Sequence, residues 1–283
     1  MKLTFAKDVY QFGKTSMDFR KETVVMGILN VTPDSFSDGG KYARIETALQ
    51  HAREMIHDGA KIIDVGGEST RPGYAPVSVD EEIERIVPVI EALAKDLGCV
   101  VSIDTHKSGV AEAAIKAGAH IINDVWGAKR DPEIAHIAAK YNVPIILMHN
   151  REKAVYKGSF MNEVLKDLTE SIDIAKKAGV PNNHIWLDPG VGFAKNTKQN
   201  IQVMQDLDEI SELGYPVLLG TSRKSVIGNV LGLPVNERLE GTGATVCYGI
   251  EHGSHIMRVH DVKEIVRVSK MMDVLTGKST YEE

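Results

Sequence analysis

The sequence predicts an α/β protein, a (β/α)8 TIM barrel with an N-terminal β-hairpin extension. Three observations predict it. Eight short apolar runs recur along the 283 residues, helix-period stretches separate them, and a glycine closes most of those stretches. Residues 1–23 fall outside this count. They alternate (LTFAKDVYQFGKTSMDF) with a turn near Gly13, which predicts a hairpin capping the bottom of the barrel. The first run is VVMGILN (24–30). KIIDVGG (61–67), CVVSID (99–104), HIIND (120–124), VPIILMH (143–149), HIWLD (184–188), YPVLLG (215–220) and HIMRVH (255–260) follow. Near-continuous Val, Ile and Leu marks strands covered on both faces, as in a parallel sheet.

The first helix, 44–58, places Ile45, Ala48, Leu49, Ala52, Met55 and Ile56 on one stripe. The second, 80–97, does so with Ile83, Ile86, Val87, Ile90 and Leu93. Further helices are expected at 107–117, 131–141, 161–178, 198–213, 234–251 and 261–276. Glycine just past the last turn, as in LGC (97–99) and AGA (117–119), is the expected stop. Even alternation gives no topological switch point, which argues against a doubly wound open sheet. No low-complexity linker divides the chain, so residues 1–283 read as one domain.

Composition narrows the function. The net charge of −6 disfavours general affinity for nucleic acid or an acidic membrane surface. An anionic ligand would need a local positive pocket. Cys99 and Cys247 lie in apolar segments and read as buried free thiols, which excludes a disulfide scaffold. Lys7 and Asp8 interrupt the place where a signal peptide needs apolar residues, and no window of eighteen unbroken apolar residues exists. A cytoplasmic protein is the expectation.

In such barrels the chemistry lies at the C-terminal strand ends. There the sequence delivers Asn30, with Asp34, Ser35 and Phe36 in the loop; Asp64, then GGESTRPG with Thr70, Arg71 and Pro72; Asp104; Asn123 and Asp124; Met148 and His149; Asp188, then PGVGFAKN with Phe193; Arg223, Lys224 and Ser225; and Arg258 with His260. Acids and amides at strand ends routinely cap the following helices. Capping does not require Lys, Arg and two His in the same ring.

These residues carry a resemblance. MGILNVTPDSFSDGG, then DVGGESTRPG, SID, IIND, LDPGVGFAKN, GTSRKSVIG and RVHDV resemble the dihydropteroate synthase family, in the family's order, from about residue 24 to the C-terminus. MHNR (148–151) and Val226 depart from its usual wording without removing a charged group. The resemblance implies that an aminobenzoate amine displaces pyrophosphate from a pterin methylene, with Mg²⁺ assisting and pyrophosphate leaving first.

It also implies roles. A pterin edge offers an N–H and an amino group side by side, which one carboxylate accepts as a charge-assisted pair. Asp188 matches the family's residue for that, and Asp104 and Asn123 complete the polar end. Ile122, Met148 and Phe193 are candidates for the flat faces, and Lys224 matches a residue beside the ring. Arg258 and His260 leave the eighth strand two residues apart and so point the same way. With Asn30 from the neighbouring first strand they form the expected pyrophosphate site, Asn30 also offering Mg²⁺ its carbonyl oxygen. Phe36, Thr70, Pro72, Phe193 and Ser225 are implied for aminobenzoate, and Thr70 also for pyrophosphate. Asp34, Arg71, Lys224, Arg258 and His260 are the implied catalytic set. The partners are small molecules and a second copy of the chain, as a homodimer through the last helices.

Two rival enzymes stay open at this stage. A methyltetrahydrofolate-dependent methyltransferase would share the pterin pocket but has no use for an RVH clamp. A Schiff-base aldolase would need a desolvated Lys224, whereas a lysine in a loop between Arg223 and Ser225 is expected to be modestly desolvated and to stay protonated. A non-catalytic pterin-binding protein is the third alternative. No GxGxxG follows a strand, so no dinucleotide cofactor is expected.

Overall fold

The computed structural model describes residues 3–7, 9–31, 41–68 and 77–281, with backbone alone at 41–44. The chain opens with an antiparallel hairpin of β1 (Tyr10–Phe12) and β2 (Thr15–Met17). Gly13 holds the turn between them at φ +55. Eight parallel strands follow: β3 (Val24–Asn30), β4 (Ile62–Gly66), β5 (Val100–Asp104), β6 (Ile121–Asp124), β7 (Ile145–Met148), β8 (Ile185–Asp188), β9 (Leu218–Leu219) and β10 (Ile256–Val259). Their spatial order is β8-β7-β6-β5-β4-β3-β10-β9. A Leu187–Val217 bridge links the two edges and closes the ring. All eight expected runs are strands of this barrel.

The helices outside the ring are α1 (Lys41–His57), α2 (Val79–Ala92), α3 (Ser108–Ala117), α4 (Glu133–Tyr141), α5 (Phe160–Lys177), α6 (Thr197–Gln205), α7 (Leu207–Ser211), α8 (Ser225–Leu231), α9 (Leu239–Glu251) and α10 (Val262–Leu275). Two differ from expectation. The stretch 198–213 breaks at Asp206, whose ψ of +24 interrupts the helix between α6 and α7. The stretch expected from 234 begins its α-helix only at Leu239, while a separate short helix, α8, follows β9. Gly232, at φ +70, ends α8.

Strand alternation splits the core in two. Val25, Ile63, Val101, Ile103, Ile145, Leu147, Ile185 and Leu187 point outward into the layer against the helices. Met26, Ile62, Val100, Ile121, Ile146, Trp186, Leu218 and Ile256 point inward and fill the lower barrel. Tyr10, Met17 and Phe19 from the N-terminal segment join that inner cluster. Tyr10 and Phe19 each meet the Trp186 ring edge-on, at 5.2 and 5.3 Å between centroids. The hairpin plugs the bottom as expected, so the barrel interior is polar only at the opposite end. Cys99 is buried, but Cys247 is half-buried on α9; both are free thiols.

Candidate functional site

One further step of two along each strand brings the inward positions to the C-terminal mouth, and there the chemistry changes. Ile28, Asp64, Ser102, Asn123, Met148, Asp188 and Arg258 occupy the inner face above the apolar plug. Register aligns Asn30 with Gly66, Gly66 with Asp104, and Asp104 with Asn123, a row across four strands.

Arg258 organises this mouth. Its Nε donates to Asp64 Oδ2 at 2.6 Å and its Nη2 to Asp104 Oδ2 at 2.6 Å. Asn123 Nδ2 donates to the same Asp64 oxygen at 3.1 Å. Asp64 Oδ1 and Asp104 Oδ1 are buried and have no hydrogen-bond partner among the described residues. Burial raises Asp104, with Arg258 pulling the other way and Asp64 reinforcing the rise. The same carboxylates hold the Arg258 guanidinium firmly protonated against its own desolvation. Asp188 is also raised by burial, opposed first by Lys224, and its Oδ1 accepts the Gly190 N–H at 2.7 Å. Three buried carboxyls thus face Arg258 and Lys224, and two acceptor oxygens remain unfilled.

Lys224 corrects an expectation. Desolvation is not modest: it pulls the amine down to about 8, although Asp188 opposes the shift. The cause is tertiary. The β8–α6 loop covers the side chain, whose Nζ donates to the Val191 carbonyl and lies 4.5 Å from the Phe193 ring centroid. At pH 7 the amine is still mainly protonated, so the expected charge holds for a different reason.

The pterin-face candidates also change. Ile122 lies in the sheet–helix core and points away from the mouth. Its neighbour Asn123 faces inward, and two residues on Val125 shares that side, 7% exposed and outside both apolar clusters. Met148 is likewise buried outside both clusters, one strand from Asp188 in register. Counting in steps of two from Asn123 would have selected Val125 from the sequence. Asp124 faces its own turn and accepts the N–H groups of Trp126 at 2.8 Å and Ala128 at 2.6 Å, a structural role.

On the other side of the mouth, His260 Nδ1 is 3.0 Å from Ser222 Oγ, which also accepts the His260 N–H. Arg223 binds Asp261 through Nε at 2.9 Å and joins the β9 and β10 loops. Asn30 is exposed at the end of β3. Gly66 lies between Asn30 and Asp104: a Cβ there would be in ordinary contact, 3.6 Å from Asn30 Oδ1 and 3.8 Å from Asp104 Oδ2. Ser225 is exposed in the first turn of α8. Asp34, Phe36, Thr70, Arg71 and Pro72 lie outside the described residues. The flanks of the 69–76 segment are joined by Lys107, whose Nζ reaches Glu68 Oε2 at 2.6 Å, the Val77 carbonyl at 2.7 Å and Glu82 of α2 at 2.6 Å. The partners of Asp64 and Lys107 lie on other elements, so neither role shows in the neighbouring sequence.

The profile of the pterin binding enzyme family matches residues 26–260. A dihydropteroate synthase of Bacillus subtilis (strain 168) is 59% identical over 264 residues, covering 93% of this chain and 92% of that protein. The chain belongs to the dihydropteroate synthase family. Members of this family are transferases of folate biosynthesis. A dihydropteroate synthase from Clostridium difficile, crystallised in the presence of pteroic acid, superposes with a TM-score of 0.89 at 49% identity, over 92% of this chain and 98% of that one. The Xanthomonas albilineans dihydropteroate synthase with 4-aminobenzoic acid gives 0.89 at 38% identity, over 96% and 99%. Among the described residues no helix is long and apolar enough to cross a membrane.

Proposed function

We propose that the mouth of this barrel condenses 6-hydroxymethyl-7,8-dihydropterin pyrophosphate with p-aminobenzoate, giving 7,8-dihydropteroate and pyrophosphate by a dissociative route. The observation that carries the reading is the inner-face set of Asp188, Asp104, Asp64 and Asn123 gathered around Arg258, with two buried carboxylate oxygens lacking a donor among the described residues. Asp188 accepts the ring N–H and amino group together. Asp104 and Asn123 complete that polar end. Met148, Val125 and Phe193 supply flat apolar surface, and the Lys224 ammonium lies beside the ring.

Departure of pyrophosphate leaves a pterin cation. Nearby carboxylates and a dry, walled pocket favour that charge, while Arg258 and His260 meet the leaving anion. The Arg258 fork already spans Asp64 and Asp104, so it couples the pterin end to the leaving-group side. The arylamine is neutral at pH 7 and attacks the cation with its own lone pair, losing its proton afterwards. No strong base is required; orientation does most of the work. Ser225 and Phe193 serve the aminobenzoate side, with Phe36, Thr70 and Pro72 proposed from resemblance, as are Asp34 and Arg71 for catalysis.

The residues fit Mg²⁺. Asn30 presents a neutral amide oxygen at the exposed end of β3, a hard-oxygen donor of the kind this ion prefers. Asn30 is the residue that would hold it, and when bound it would neutralise charge building on the diphosphate.

Positional isotope exchange tests the route. Pterin pyrophosphate labelled with ¹⁸O in the C–O–P ester position is expected to scramble that label into the non-bridging α-phosphoryl oxygens on the enzyme when no amine is present. Turnover without scrambling would favour direct displacement by the amine. Absence of turnover with both substrates and Mg²⁺ would remove the function itself and leave a pterin-binding protein.

The assembly is proposed to be a homodimer. An apolar groove of about 330 Å³ lies between α6, α8 and α9, lined by Ile201, Met204, Val226, Val230, Leu231 and Tyr248. Val230 is 59% and Leu231 49% exposed. A two-fold axis would place this patch against itself, covering apolar surface that a monomer would leave wet. Val230→Glu is expected to give monomers in sedimentation equilibrium while the parent sediments as a dimer; a monomeric parent would refute the assignment.

A further inference from the structure

The β8–α6 loop has an unusual backbone for a segment that must carry substrate contacts. Gly190, Gly192 and Ala194 have φ of +66, +85 and +45, three left-handed residues within five positions. Ala194 has a Cβ and is strained there. A Cβ at Gly190 would come within 1.9 Å of the His149 carbonyl oxygen, so the loop is pressed onto the end of β7. Such a conformation persists only where the surroundings over-determine it.

Lys195 supplies that constraint from inside the loop. Its Nζ donates to the Gly190 carbonyl at 2.9 Å and the Phe193 carbonyl at 3.1 Å, and lies 2.7 Å from His149 Nδ1. Burial pulls this amine down to about 7 with Asp188 opposing, and in its ammonium form its three donors meet these three acceptors. The imidazole is set to accept. His149 is 1% exposed, burial holds it down to about 4, and its Nε2 lies 3.1 Å from Asp167 Oδ2. A proton on Nε2 satisfies Asp167 and leaves the Nδ1 lone pair for Lys195, a tautomer inferred from the network. Asp167 is anchored in turn by Arg151 Nε at 2.6 Å. The chain Arg151–Asp167–His149–Lys195 thus runs from α5 to the underside of the loop. Asn200 and Tyr156 tie the loop's outer end, through the Gly192 N–H at 2.6 Å and the Ala194 carbonyl at 2.9 Å.

What the tripod holds in place is the Phe193 ring and the Val191 carbonyl, the two groups that Lys224 meets. We propose that Lys195 is a positioning residue for the reaction, fixing the β8–α6 loop so that Phe193 and the Lys224 ammonium face the substrates. This rests on the reading of Phe193 as a substrate contact given above. A purely structural side chain there would be cheaper as methionine, since burying an amine costs free energy unless its hydrogen bonds are needed.

A double-mutant cycle tests it. Lys195→Met keeps the length of the side chain and removes the three donors. Its kcat/KM for p-aminobenzoate is expected to fall roughly tenfold, about what one or two lost hydrogen bonds are worth. In a Phe193→Ala background the same substitution should cost a clearly smaller factor, because one of the two contacts it serves is gone. A merely structural lysine would cost the same factor in both backgrounds, and that result beside an impaired Phe193→Ala would overturn this inference alone. Phe193→Ala with the parent's kinetics would take down the site reading and this inference with it. If Lys195→Met does not fold, His149→Leu removes one of the three acceptors and runs through the same cycle with the same expectation.

Discussion

Asp188→Asn is expected to lower kcat/KM for the pterin pyrophosphate by about 10³-fold, with little change in melting temperature. In the proposed binding mode the carboxylate accepts two ring donors, and hydrogen bonds to a charged acceptor are worth roughly 1.5–3 kcal/mol each. The amide keeps volume and one oxygen, which the Gly190 N–H already uses. Its NH₂ then faces the ring as donor against donor. Folding is spared because a buried acid is replaced by a neutral group; burial already raises the Asp188 pKa, so its charge is not what stabilises the fold. Steady-state kinetics with calorimetric pterin binding measure the effect. A loss smaller than tenfold would show that Asp188 does not grip the ring.

Arg258→Met is expected to abolish detectable turnover and, unlike Asp188→Asn, to destabilise the fold. The guanidinium is the cation hydrogen-bonded to both Asp64 and Asp104, 194 and 154 residues away in sequence. Removing one partner of a buried ionic cluster costs roughly 3–5 kcal/mol, because the others keep their charge without compensation. The pH dependence follows from the raised Asp104, whose ordinary value is 3.8. A native carboxyl that binds its proton more tightly than the unfolded one loses stabilising effect as pH rises through the native value. Deleting Arg258 raises it further, so the deficit in melting temperature should be larger near pH 8 than near pH 5.5. Adding Asp64→Asn to Arg258→Met should recover part of the stability and none of the activity. A deficit independent of pH, or pyrophosphate release surviving in Arg258→Met, would contradict the arrangement. The pairing also means that Arg258→Ala should disturb the pterin end, whereas His260→Ala, which removes the contact with Ser222 Oγ at 3.0 Å, is expected to leave simple pterin binding intact.

The barrel was legible because its signals are local. A parallel strand packed on both faces is a continuous apolar run, and each of the eight runs became a strand. The broken helix at Asp206 and the separate α8 were less so, since apolar spacing continues across a break that tertiary packing imposes. Site residues divided the same way. Asp104, Asn123, Asp188 and Arg258 were identifiable as strand ends, and the structure gathers them. Ile122 was the wrong neighbour of Asn123: the identity of the strand was clear, but the phase of its alternation is fixed only by which face meets the helices. The burial of Lys224 could not be read from its flanking residues, because the cover comes from a loop some thirty residues earlier, at Val191 and Phe193.

By itself the sequence determined the order of elements, the barrel, the N-terminal hairpin beneath it, and the types of charged group that reach the mouth. Tertiary structure decided which of those groups pair: Arg258 with Asp64 and Asp104, Lys195 with His149, Lys224 with the loop above it. Hydrophobic periodicity is written into each segment and survives without its neighbours. The protonation and hydrogen bonding of a buried charge depend on whatever other strands bring within about 4 Å, where the interaction is strong enough to decide, and closure of the ring is what brings them there.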